Sequence, residues 1–122
     1  MELLLEKKPK NVYIIEGFPG FGLVATIVTE YLINHLDADQ IGKIVVEENS
    51  PIVAVHSGQV IEPIGIFYSK KYNLVILHAL NSINGLEWKM SQKIEQLAKE
   101  LDAKEIICIE GVGSTSGSNN AY

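Results

Sequence analysis

The stretch NVYIIEGFPGFGLVATIVTEYLINHL, residues 11–36, restricts the fold more than any other part of the sequence. Its β-branched start, Val12–Ile15, predicts a short buried strand. A glycine- and proline-containing turn follows, and then a helical pattern from about Phe21 to Leu36. Val24, Ile27, Val28, Tyr31 and Leu32 recur at the i, i+3, i+4 spacing of one helix face. Leu23, Ala25, Ile33 and Leu36 widen that stripe well past one face. Such a helix has to bury more than one side, so it is expected to pack on a sheet and to meet a neighbour. A strand that turns directly into a helix of this kind opens an α/β domain.

The rest of the chain continues the alternation. KIVVEE, SPIVAVHSG and EPIGIFYS are further strand candidates, with Pro51 and Pro63 marking starts or edges. LVILHAL reads as a strand buried on both faces. NGLEWKMSQKIEQLAKELDA is an amphipathic helix with Met90, Ile94, Leu97 and Leu101 inward and Asn84 and Glu87 as a capping box. KEIICIEG is the last strand, and its Cys108 reads as a buried core thiol. Two strand–helix–strand units bracket a meander, and each crossover is expected to give a parallel pair. The expected fold class is a three-layer α/β sandwich with a mainly parallel central sheet, phosphorylase- or hydrolase-like. Residues 1–122 form one domain, and 113–122 are a flexible glycine- and serine-rich tail. That tail begins where another helix is expected, so the chain reads as shortened.

Composition narrows the function. With 122 residues and 47% hydrophobic content there is enough chain for one core. The net charge of −5 argues against nucleic acid, whose backbone demands a basic face. All ten basic residues are lysine, so the bidentate fork of arginine is absent. One cysteine excludes an internal disulfide and fits the cytoplasm, and Met1–Pro9 lacks the pattern of a signal peptide. Phe18–Leu36 is interrupted by Thr26, Thr29, Glu30, Asn34 and His35, so no membrane span is expected.

The turn Gly17–Gly22 fits two phosphate-binding patterns by glycine spacing alone. A P-loop needs Lys and Ser/Thr after its last glycine, and here Leu23 and Val24 stand there. A dinucleotide loop would draw on Glu47 or Glu48 for a ribose, but Glu16 directly before the turn repels a pyrophosphate. The mechanical reading is a β-turn with Pro19 second and Gly20 third at positive φ. The carboxyl ends of the strands gather Glu16, Gly17, Gly20, Gly22, Glu47, Asn81 and Glu110 as a candidate loop for a cation or polar ligand. Phe18, Phe21 and Tyr31 are the candidate contact residues. No catalytic pair, metal spacing or cofactor motif emerges, and His35, His56 and His78 are scattered.

GFPGFGLVATIVTEYLINHL, SPIVAVHSGQVIEPIGIFY, NLVILHALNSI and IICIEGVGS, in that order, resemble the archaeal branch of the proteasome assembly chaperone 2 family. The resemblance implies a phosphorylase-like fold and a chain that is the N-terminal half of a longer member. It also implies binding of proteasome α-subunits without catalysis, as a homo-oligomer. Members carry a docking tail with a penultimate tyrosine; this chain ends Asn120–Ala121–Tyr122, so that role transfers to no residue here. The alternative reading is a nucleotide- or nucleoside-binding enzyme that uses the Gly17–Gly22 loop.

Overall fold

The computed structural model describes residues 1–47, 54–56, 59–61 and 63–113. Glu48, Pro51, the tail beyond Gly113 and the Phe21 side chain lie outside the described residues. Strand β1 (Glu2–Leu5) is followed by β2 (Tyr13–Gly17), a single 3-10 turn (Phe21–Leu23) and helix α1 (Val24–His35). Then come β3 (Asp39–Val45), the ribbon β4 (Ala54–His56) and β5 (Gln59–Ile61), β6 (Ile64–Ser69) and β7 (Leu74–Ala79). Helix α2 (Glu87–Glu100) and β8 (Glu105–Ile109) close the described chain.

Six strands form one sheet in the order β1-β3-β6-β7-β2-β8, and β4 and β5 pair separately. Among the described residues of this sheet, β2–β7 and β2–β8 are the parallel pairings, and β1–β3, β3–β6 and β6–β7 are antiparallel. The sheet is therefore mixed, not mainly parallel. The two strand–helix–strand units do return their strands in the same direction, but neither forms a neighbouring pair. β3 lands three positions from β2, and β8 skips over β2 to leave β7 behind. β1 pairs with β3 at the opposite end of the sheet from β8.

The helices cover opposite faces. Val12, Ile14, Val75, Leu77 and Ile66 form the core with Met90 and Leu97 of α2 and its C-cap Leu101, as the inward stripe predicts. The adjacent positions Gly17 and His78, paired in register, face α1. On α1 the expected stripe is only partly inward, with Val28 and Leu32 half-buried. Ala25 and Thr29 are buried, whereas Val24, Ile27 and Tyr31 are exposed. The cause is the glycine beneath: a Cβ at Gly17 would lie 2.8 Å from the Ala25 Cβ and 2.9 Å from its carbonyl oxygen. So close an approach admits only small side chains where the helix crosses Gly17, and Val24, Ile27 and Tyr31 turn outward.

Both helices end in the same tripeptide, Leu-Asp-Ala, with Asp37 and Asp102 at φ 50° and 47°. Ala38 and Ala103 donate their N–H back to Ile33 and Ala98. This is a Schellman stop with aspartate in the left-handed position that glycine usually takes. The start of α2 differs from expectation. Leu86 occupies the N-cap with no side-chain cap bond, so Asn84 and Glu87 do not form a capping box. Gly85, at φ 84°, turns the chain there instead.

The turn before α1 is also a correction. Gly20 is extended (φ −154°), and the left-handed residues are Gly22 (φ 67°) and Leu23 (φ 55°). Gly17→Ala is therefore expected to cost roughly 1–3 kcal/mol by overpacking. Gly22→Ala should cost about 1 kcal/mol through its positive φ. Gly20→Ala, whose Cβ meets nothing closer than 3.9 Å, should stay within about 0.5 kcal/mol of the parent. Urea unfolding of the three variants checks the order.

Candidate functional site

β2, β7, β3 and β8 point the same way, so their carboxyl ends share one sheet edge. Part of the expected loop assembles there. Glu16, Phe18, Pro19, Gly20, Glu110 and Gly111 line a cleft of about 240 Å³ together with Cys108 and Ile109. Gly17 lies beneath α1, and Gly22 makes the left-handed turn into it. Asn81 follows β7, the neighbour of β2, and is half-buried. Glu47 is not brought in: it follows β3, three strands from β2, or about 14 Å at the usual strand spacing. A ribose-binding acid belongs on the adjacent strand. The cleft lining contains no lysine and two carboxylates, which is an environment hostile to phosphate.

A second, wider groove of about 700 Å³ runs between α2 and β8. Ile94, Ala98, Ala103 and Ile106 line it, with Glu95, Lys99 and Asp102 at its margin. Lys99 is held by Glu95 at 3.0 Å, one helical turn away. Glu16 and Cys108 border both spaces. The Cys108 thiol donates to Glu16 Oε1 at 3.0 Å, while Glu16 Oε2 is buried without a hydrogen-bond partner among the described residues. Cys108 is thus exposed, not a core thiol. Its strand lies at the sheet edge, and strand order leaves no mark in local composition. The hydrogen bond to Glu16, then burial and the charges of Glu16 and Glu110, push the thiol up to about 11.

His78 is the other polar group in the packing. It is buried between Gly65 and Gly17 of the flanking strands, with Nδ1 2.7 Å from the Thr29 hydroxyl. That hydroxyl also reaches the carbonyls of Ala25 and Thr26 at 3.0 and 3.1 Å. Burial lowers the His78 pKa, and Glu30 partly offsets this. Thr26 donates to the Ala79 carbonyl at 3.2 Å, tying α1 to the end of β7. This cluster has the construction of a packing device.

On the outer face of α1, Leu23, Ile27 and Tyr31 are 53, 59 and 61% exposed. Tyr31 stacks on His35 with ring centroids 5.2 Å apart. Of the expected contact residues, Tyr31 stands on this face, and Phe18 is half-buried against the core. Leu23 and Ile27, read from sequence as part of an inward stripe, belong to the same outer face. Among the described residues no group of three or more His, Cys, Asp or Glu is arranged to hold a metal. None of their helices is long and apolar enough to cross a membrane.

Fold and site together define, over the described residues, an α/β protein with a mixed six-stranded sheet and an apolar helix face. The chain belongs to the PAC2 family, which matches residues 14–120. It is similar to the crystal structure of PbaA from Pyrococcus furiosus, described as an archaeal homolog of proteasome-assembly chaperone. The monoclinic form is 27% identical with a TM-score of 0.84, covering 98% of this chain and 49% of that one. A further crystal structure of PbaA gives 27% identity and a TM-score of 0.80, covering 96% and 52%. PbaB from the same organism, described as an archaeal proteasome activator, shares the fold at 19% identity and a TM-score of 0.71, covering 93% and 54%. The chain thus spans about half the length of these structures. No curated protein matches the sequence.

Two measurements follow. The folded-state pKa of His78 lies below its unfolded value of 6.5. Between the two, the unfolded chain binds more protons, so stability is kept above pH 6.5 and lost as pH falls through that window. The urea midpoint should drop between pH 7.5 and 5.5, and His78→Gln should flatten that drop. Separately, a thiol raised from 9.0 to about 11 holds roughly a hundredfold less thiolate at pH 8. Its greater nucleophilicity recovers part of this, leaving alkylation about tenfold slower than in a free peptide. Glu16→Ala should restore the rate.

Proposed function

We propose that this protein is a non-catalytic chaperone of proteasome assembly that binds α-subunits of the core particle. The observation that carries this reading is the PAC2 family match over residues 14–120, joined to the 27% identity with PbaA. In this reading the chain works in the cytoplasm as a homo-oligomer. In the whole protein it forms part of a three-layer, phosphorylase-like sandwich.

The physical features agree with a binding role. Leu23, Val24, Ile27 and Tyr31 place large apolar side chains in solvent along α1, and contiguous apolar patches usually mark contacts. Leu23 is also held in the left-handed region at φ 55°, a strain of about 1 kcal/mol or more for a leucine. The outer face of α1 is the surface we assign to contacts with α-subunits and between copies.

The enzyme reading with a nucleotide in the Gly17–Gly22 loop is disfavoured by Glu16 and Glu110 in the adjoining cleft. Calorimetry with ATP, NAD and GTP is expected to show nothing tighter than about millimolar. Immobilised protein is expected to capture archaeal proteasome α-subunits, and Ile27→Asp/Tyr31→Asp to reduce capture at least about tenfold while leaving the urea midpoint near the parent's. A micromolar nucleotide dissociation constant without capture contradicts the proposal.

A further inference from the structure

Where α1 crosses β2 and β7, small and polar side chains make the contact. Ala25 packs on Gly17, Thr26 donates to the Ala79 carbonyl at 3.2 Å, and the Thr29 hydroxyl lies 2.7 Å from His78 Nδ1. Alanine and threonine bury far less apolar area than the methionine and leucine of α2, so this seam adds correspondingly less stability. His78 stands at its centre. Its in-register neighbours are Gly65 on β6 and Gly17 on β2. Neither can accept a hydrogen bond through a side chain, and His78 is 4% exposed. The Phe67 ring fills the space over Gly65, 2.7 Å from where a Cβ would stand.

The Thr29 hydroxyl has one proton, and the carbonyls of Ala25 and Thr26 lie 3.0 and 3.1 Å from it, beside Nδ1. A neutral imidazole satisfies it as donor or as acceptor. An imidazolium adds a charge and a second N–H, and among the described residues nothing accepts from Nε2. Glu30 of α1 favours the cation. Lys43 of β3 shares the sheet face two strands away and opposes it. β6 presents Gly65 and Phe67 to that face and β2 presents Ile15 and Gly17, all uncharged, while Glu16 faces the α2 groove.

We propose that His78 is a proton-operated latch: the neutral imidazole keeps α1 seated on β2 and β7, and protonation favours a form in which α1 lifts while the sheet and α2 stay folded. In the lifted form His78 meets water and titrates near 6.5, whereas burial holds it lower in the seated form. Lifting is therefore promoted as pH falls from 6.5 through that lower value, by at most about tenfold at pH 5.5, and not above pH 7.5. The latch is independent of what α1 binds. Its control of α-subunit capture rests on the chaperone reading, and capture weakens only once the lifted form is well populated.

Native-state amide exchange at pH 7.5 and 5.5, corrected for the intrinsic rate and repeated in low urea, tests the latch. The amides of Ala25–Leu32 are expected to exchange through an opening with a weaker urea dependence than those of α2. That opening should become several-fold more frequent at pH 5.5, and His78→Gln should abolish the increase. A second measurement needs no variant: the imidazole C2–H resonance of His78 should titrate below 6.5, and the opening should level off at the same pH. The proposal is overturned if α1 and α2 share one urea dependence, so that the helix opens only with the whole fold. It is equally overturned by an α1 opening indifferent to pH, by the same pH response in His78→Gln, or by His78 titrating at or above 6.5. Absence of α-subunit capture at both pH values, with this exchange pattern present, would count against the chaperone reading alone.

Discussion

The close approach of α1 to β2 at Gly17 and Ala25 determines how this chain divides its apolar residues. With 2.8 Å available to a missing Cβ, the helix sits lower on the sheet than a larger residue would allow. Where the helix crosses Gly17, the seam is filled by Ala25, Thr29 and the imidazole of His78. The helix still carries Val24, Ile27 and Tyr31, and they face solvent. One glycine therefore connects the packing of the core to the presence of a sticky surface. The main apolar core lies on the other face, under Met90 and Leu97 of α2 and its C-cap Leu101.

The mixed strand order has the second large consequence. Because β2 sits between β7 and β8, the strand carrying Glu16 is central while the one carrying Cys108 is an edge. The carboxylate is then placed between two clefts, with one oxygen on the thiol and the other buried without a partner among the described residues. The arrangement raises the thiol pKa, the opposite of what a nucleophilic cysteine requires. Glu16 and Glu110 likewise put negative charge at the place where an α/β sheet most often binds phosphate. The chemistry of the strand ends and the exposed apolar surfaces both favour recognition of protein.

Local features were legible in the sequence where local physics decides them. The inward stripe of α2 and the apolar run of β7 appear where periodicity puts them, because each follows from one element facing one core. Strand order, by contrast, depends on contacts distant in sequence. Hence KIVVEE was expected beside YIIEG and lies three strands away, and Cys108 was expected inside and lies at the edge. α1 misled for another reason: a helix apolar nearly all round has no preferred face of its own, and the glycine of a different element chose it. The turn residues were misplaced by two positions, since proline at Pro19 suggested a turn over Gly20 while the left-handed conformations fall on Gly22 and Leu23. The Leu-Asp-Ala stops carry no glycine, the usual signal for such an ending.

Amide hydrogen exchange tests the central claim, that this is a protein-binding module whose glycine turn serves packing. The exchange of residues 17–36 would be followed alone, with saturating proteasome α-subunits and with saturating ATP. The account predicts slowed exchange in the 3-10 turn and α1 with α-subunits, and no change with ATP. Slowed exchange confined to 17–22 with ATP, and none with α-subunits, would contradict it.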